Sequence, residues 1–167
     1  MSSEAAPFVI RVATADDDSA LVALEIAAFT PEAGFPSMVP APGAAFFSAD
    51  SPPHVHLVAD AAGELLGYVR VKPQLPMPEA AHVLAIHGLE VAPQARRRGV
   101  ATALMRAAAE QARARGARKL SLRMFGGNDA ARALYQRLGY EVEGVLTEEF
   151  LINGEFVDDV LMTLRLR

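Results

Sequence analysis

The sequence predicts a single α/β domain with a mixed sheet of about seven strands, flanked by about four helices. Three observations carry this. Runs of strand-like period alternate with amphipathic runs of helical period, so strands and helices interleave along the chain. Ala62-Gly63 and Asn153-Gly154 each separate two strand-like runs, the signal of a tight hairpin, so part of the sheet is antiparallel. The 167 residues are 51% apolar, enough for one core of ordinary domain size.

The elements follow in order. Residues 1–7 read as a loose tail and 8–167 as the domain. Phe8 to Ala13 reads as a strand. Asp16 to Ala28 reads as a helix, with acids in its first turn and Leu21, Leu24 and Ala28 on one face. Pro31, Pro36, Pro40, Pro42, Pro52 and Pro53 forbid a long helix between Thr30 and Pro53, leaving room only for a short one over 44–48. His56 to Ala61 and Glu64 to Lys72 form the first hairpin. Pro73, Pro76 and Pro78 mark a loop before a strand from Val83 to Val91. A helix from Gly99 to Arg115 turns Ala101, Leu104, Met105, Ala108 and Ala112 inward, sets Glu110 within reach of Arg106 and Arg113, and ends at Gly116. Lys119 to Phe125 reads as a strand and Asp129 to Leu138 as a helix. Glu141 to Leu151 and Phe156 to Leu166 make the closing hairpin.

Composition removes several functions. The net charge of −4 gives no reason to expect nucleic acid as partner. The absence of cysteine removes disulfides, thiolate metal ligands and an acyl-cysteine intermediate. His54, His56 and His82 have no spacing that suggests a metal site. No apolar run is long enough to span a membrane, and the acidic start lacks the positive opening of a signal peptide, so the expected location is the cytoplasm.

The most informative stretch is Arg96-Arg97-Arg98-Gly99-Val100-Ala101-Thr102, between a strand ending Leu89-Glu90-Val91-Ala92-Pro93 and an Ala-rich helix. A strand turning through glycine into a helix leaves backbone N–H groups unpaired at the positive end of the helix dipole. With flanking arginines, they favour a phosphate. Neither G-x-x-x-x-G-K-[ST] nor G-x-G-x-x-G is present, which removes two common nucleotide loops.

What remains, R-x-x-G-x-A after V-x-P, resembles the pyrophosphate loop of the GNAT superfamily of acetyl-CoA-dependent N-acetyltransferases. Asn128-Asp129-Ala130-Ala131-Arg132-Ala133-Leu134-Tyr135-Gln136-Arg137-Leu138-Gly139-Tyr140 resembles its second motif, N-x-x-A-x-x-L-Y-x-x-L-G-F/Y. The likeness extends to both ends of the chain and is weak between Phe29 and Pro53. It implies splayed, parallel central strands at Val83–Val91 and Lys119–Phe125, with a cleft for pantetheine between them.

The same resemblance implies roles. Backbone amides of residues 97 to 102 (Arg97, Arg98, Gly99, Val100, Ala101 and Thr102) cradle the pyrophosphate, with charge from Arg96, Arg97 and Arg98. Leu89, Glu90 and Val91 line the cofactor's path. Asn128 and Ala131 belong to the pantetheine arm, although N-capping alone explains an asparagine at that place. Tyr135 is the acid that protonates the departing thiolate, although its spacing also suits a core aromatic. An alkylammonium acceptor must lose a proton before it attacks. His87 is the first candidate base, and Glu90, which alternation points to the opposite face, is the second.

The implied activity is acetyl transfer from acetyl-CoA directly to the primary amine of a small molecule or amino acid. The alternatives are acetylation of a protein or peptide N-terminus and an acyl-CoA-binding module without catalysis. Arg123 stands where N-terminus-acetylating members carry a glutamate, which counts against the first of these. Phe35, Met38, Phe46 and Phe47 are candidates for an apolar acceptor wall, or equally for the core. A homodimer is the oligomeric state the resemblance suggests.

Overall fold

In the computed structural model, which describes residues 7–167, the alternating apolar runs become one seven-stranded sheet in the order β1-β2-β3-β4-β5-β7-β6. The strands are β1 (Val9–Val12), β2 (His56–Ala61), β3 (Glu64–Pro73), β4 (Val83–Val91), β5 (Lys119–Phe125), β6 (Glu141–Ile152) and β7 (Glu155–Arg165). The helices are α1 (Asp18–Ala28), α2 (Val100–Ala114) and α3 (Asp129–Arg137). Among the described residues there are thus three α-helices, not four. The expected helix over 44–48 is irregular chain, because the Asp18 carboxylate takes the N–H groups of Phe46 (3.1 Å) and Phe47 (3.0 Å) that a helix would need. Of the expected tail, residues 1–6 lie outside the described residues.

Contacts within the chain divide it into two compact regions. The first takes in the described residues up to Ala28, Pro40–Arg70 and Gly88–Ala108. The second takes in Phe29–Val39, Val71–His87 and Ala109–Arg167.

In the first region β1 runs antiparallel to β2, and β2 to β3. The β2–β3 turn works because Ala62 (φ 52°) and Gly63 (φ 96°) both adopt the left-handed conformation of a tight hairpin, and Asp60 Oδ1 accepts the Gly63 N–H at 2.6 Å. Arg11 bridges β1, β2 and the turn before α1, giving its guanidinium to Asp17 and Asp60, each at 2.8 Å. Both faces of β3 are covered, so Leu65, Leu66, Tyr68, Val69 and Val71 are all buried and the alternation expected of a half-exposed strand is absent. Gly67 is required by close packing. A Cβ there would lie 2.6 Å from the Glu90 carbonyl oxygen and against Leu104 and Val100 of α2.

In the second region β4 pairs parallel with β5, matching Val83 to Lys119, Leu84 to Leu120 and Ala85 to Ser121. Among the described residues Ile86 and His87 fall outside that ladder. β5 and β6 each run antiparallel to β7, and Asn153 (φ 50°) and Gly154 (φ 83°) close the β6–β7 hairpin. Glu110 pairs with Arg113 at 2.6 Å on the outer face of α2. Gly116 ends that helix with φ 80°.

Candidate active site

The strand-to-helix turn at Gly99 forms as its residue types require. After β4 the chain makes a short 3-10 turn over Pro93–Ala95, then reverses through Arg97 (φ 62°) and Gly99 (φ 77°) into α2. The α2 ladder opens with Ala103 N–H donating to the Gly99 carbonyl at 3.0 Å. Among the described residues the amides of Gly99, Val100, Ala101 and Thr102 therefore have no backbone acceptor. Nothing lies within 4 Å of the place a Gly99 Cβ would occupy. Unspent donors at a helix start, beside open space, fit a pyrophosphate. Arg97 is exposed and Arg98 half-buried. Arg96 is committed in part elsewhere: its Nη2 donates to the Ala28 carbonyl at 3.0 Å, capping the C-terminal end of α1.

The strand leading to the cradle presents the candidate bases differently. His87 is exposed. Glu90 is half-buried, and burial together with the like charge of Glu25 pushes its carboxyl up to about 7, with Arg96 opposing. Leu89 and Val91, its neighbours, are half-buried. Beside Glu90, in the same region, lies a cluster that sequence reasoning missed. Tyr68 donates its hydroxyl to Glu25 on α1, and Arg70 lies 4.0 Å from the same carboxylate. His56 is fully buried, with Nδ1 2.9 Å from the Pro52 carbonyl and Nε2 2.8 Å from Arg70 Nε. The available signal was a charged residue, Arg70, inside the apolar run Leu65–Val71.

In the second region Asn128 caps α3, its Oδ1 accepting the Ala131 N–H at 3.1 Å. Tyr135 is buried on α3, with its ring centroid 6.0 Å from that of Tyr140. Burial raises the Tyr140 hydroxyl well above its ordinary range. Arg123 gives its guanidinium to Asp159, which is buried.

The candidate wall aromatics each pack within their own region. Phe35 packs edge-on against Phe125 (5.0 Å) and Phe150 (4.8 Å) in the second region. Phe46 and Phe47 pack on His56 in the first, and Met38 is exposed.

Known proteins resemble this one over much of its length. The family described as the acetyltransferase (GNAT) family matches residues 20–140. The L-methionine sulfoximine/L-methionine sulfone acetyltransferase of Pseudomonas aeruginosa is 32% identical over 110 residues, 66% of this chain and 63% of that protein. The chain thus spans less than two thirds of that relative's length. The L-amino acid N-acetyltransferase AaaT of Escherichia coli is 35% identical over 115 residues, 68% of this chain and 70% of that protein. Among solved structures, the Salmonella typhimurium protein yncA, determined with acetyl-CoA, superposes with a TM-score of 0.81 at 18% identity, over 96% of this chain and 95% of that one. No helix among the described residues is long and apolar enough to cross a membrane. With the cradle motif and the Asn128–Tyr140 motif both inside the matched span, the chain belongs to the GNAT family of acetyltransferases.

Proposed function

We propose that the protein transfers an acetyl group from acetyl-CoA to the primary amine of an amino acid or similar small molecule. The observation that carries this reading is the row of unspent amides from Gly99 to Thr102, opening α2 directly after the strand that bears Glu90. Those amides, with Arg97 and Arg98, hold the pyrophosphate, and Leu89 to Val91, Asn128 and Ala131 line the rest of the cofactor. Bound acetyl-CoA supplies an activated thioester. Glu90 takes the proton of the acceptor's ammonium group, for which a carboxyl near 7 is better matched than an ordinary one. The freed amine attacks the acetyl carbonyl, and Tyr135 gives its proton to the thiolate as the C–S bond breaks. His87, the first base read from the sequence, is the alternative to Glu90. The amino-acid acceptor is supported by the substrates in the names of the two relatives. A cytoplasmic location is consistent with use of acetyl-CoA. For quaternary state we carry a homodimer, whose interface would cover the exposed Leu151 and Phe156 of the β6–β7 hairpin, and sedimentation velocity reports its mass.

The test is thiol release from acetyl-CoA across amines, amino acids and peptides. Amino acids are expected to lead. Release only with peptides would favour N-terminus acetylation, and none with any acceptor would leave a binding module. In the same assay Tyr135→Phe is expected to lower kcat by about 100-fold or more with acetyl-CoA affinity unchanged. Unchanged turnover, with chemistry rate-limiting, would return Tyr135 to the core.

A further inference from the structure

We propose that Arg70 receives the carboxylate of a zwitterionic acceptor, an α-amino acid, while Glu25 and Glu90 face its ammonium group. The inference rests on the acetyl-transfer reading above and assigns the acceptor's recognition to named side chains.

Arg70 is positioned by only part of its side chain. Its side chain is 20% exposed. Its Nε–H donates to His56 Nε2 at 2.8 Å. The other ring nitrogen of His56, Nδ1, lies 2.9 Å from the Pro52 carbonyl, which fixes the ring. His56 thus orients the guanidinium. Its face is fixed as well, lying over the rings of Phe46 (5.4 Å) and Tyr68 (5.7 Å). Asp18 pins Phe46 and Phe47 in place through their backbone amides.

What remains is the outer edge of the fork, Nη1 and Nη2. Among the described residues neither makes a hydrogen bond. The neighbouring carboxylate, Glu25, lies 4.0 Å away, and its Oε1 already accepts the Tyr68 hydroxyl. A mostly buried guanidinium with its terminal donors unspent is costly unless an acceptor arrives. Two parallel N–H groups on a planar fork match a carboxylate.

Glu25 and Glu90 have the complementary need. The charge of Glu25 raises the cost of charging Glu90, which a cation beside Glu90 would relieve. Gly88 packs closely on this cluster, since a Cβ there would lie 3.3 Å from the Tyr68 hydroxyl. Arg70, with its long 4.0 Å ion pair to Glu25, set beside the carboxylates of Glu25 and Glu90, fits a molecule that carries a carboxylate and an ammonium on one carbon. A simple amine would satisfy only half of the site.

The test compares acceptors that differ only in the carboxylate: L-leucine with isopentylamine, and L-phenylalanine with phenethylamine. In the wild-type protein the amino acids should be the better acceptors. Arg70→Met should raise KM for the amino acids by about 10- to 100-fold, with kcat within a few-fold. KM for the matched amines and for acetyl-CoA should stay within about twofold. Arg70→Lys should recover part of the loss, since it restores the charge without the fork. Equal losses for amino acid and amine, or a wild-type preference for the amines, would overturn the proposal and leave Arg70 a brace for His56. If the wild-type protein acetylates neither class, the acetyl-transfer reading fails separately. Calorimetric titration of the same compounds still decides Arg70: amino-acid binding lost in Arg70→Met supports the assignment, and equal or absent binding overturns it.

Discussion

Glu90 shows how one residue's role depends on neighbours distant in sequence. Alternation along β4 put it on the face opposite His87. It could not show that the charge of Glu25 on α1 bears on Glu90, or that Arg96, which favours the charged carboxylate, also caps α1. The raised carboxyl has two consequences of definite sign. As a base it works in the charged form, so kcat/KM should rise with pH up to about 7 and then level. Glu90→Gln should flatten that profile and lower activity at pH 8 by about 100- to 10,000-fold. An unaltered profile would move the role to His87. For stability, the folded carboxyl keeps its proton up to about 7, while the unfolded one releases it near 4.5. The folded state is thus favoured below 4.5 and loses that advantage as pH rises through 7. The melting temperature of Glu90→Gln, relative to wild type, should therefore climb between pH 4.5 and 8. The Arg11 cluster has the opposite sense. Asp17 and Asp60 are held below their ordinary values by the guanidinium, so their contribution is present at neutral pH and disappears in acid.

At the scale of elements, strands were legible where turn chemistry framed them. Ala62-Gly63 and Asn153-Gly154 mark the two hairpins, and β2, β4 and β5 have the expected bounds because each ends at a turn or proline-rich loop. The Thr30–Pro53 segment was not legible. Its aromatics are sorted by partners far along the chain, Phe125 and Phe150 for Phe35, His56 and Tyr68 for Phe46. Nor could the sequence reveal how closely β3 and β4 approach. Gly67→Ala tests that approach. Its Cβ would meet the Glu90 carbonyl at 2.6 Å, a backbone atom that cannot swing aside. A cost of about 1–3 kcal/mol is expected, a fall in Tm of roughly 2–12 °C for a chain of this length. Because the clash bears on Glu90 itself, kcat/KM should fall even at temperatures where the variant is folded. Loss of stability with full activity would mean that β4 absorbs the strain elsewhere.

For the whole molecule, the prediction concerns ligand linkage. Acetyl-CoA at about 100 times its Kd should stabilise the folded chain by about 2.7 kcal/mol, raising Tm by roughly 5–11 °C. A differential scanning measurement checks this, and no shift would count against the Gly99–Thr102 cradle. The Gly99–Thr102 turn was legible because its geometry is backbone geometry, encoded by a glycine at the helix start. The Arg70 cluster was not, because α1, β2, β3 and the loop before β2 each contribute one part. The interleaving of the two regions also bears on how the protein is made. Residues up to Arg70 are synthesised long before Gly88–Ala108, the stretch that completes their region, and Val71–His87 comes between. At about 5–20 residues per second, the ribosome needs roughly 2–8 s to extend the chain from Arg70 to Ala108. During that interval β3 has neither β4 beside it nor α2 over Gly67, and its apolar run is exposed to whatever the nascent chain meets.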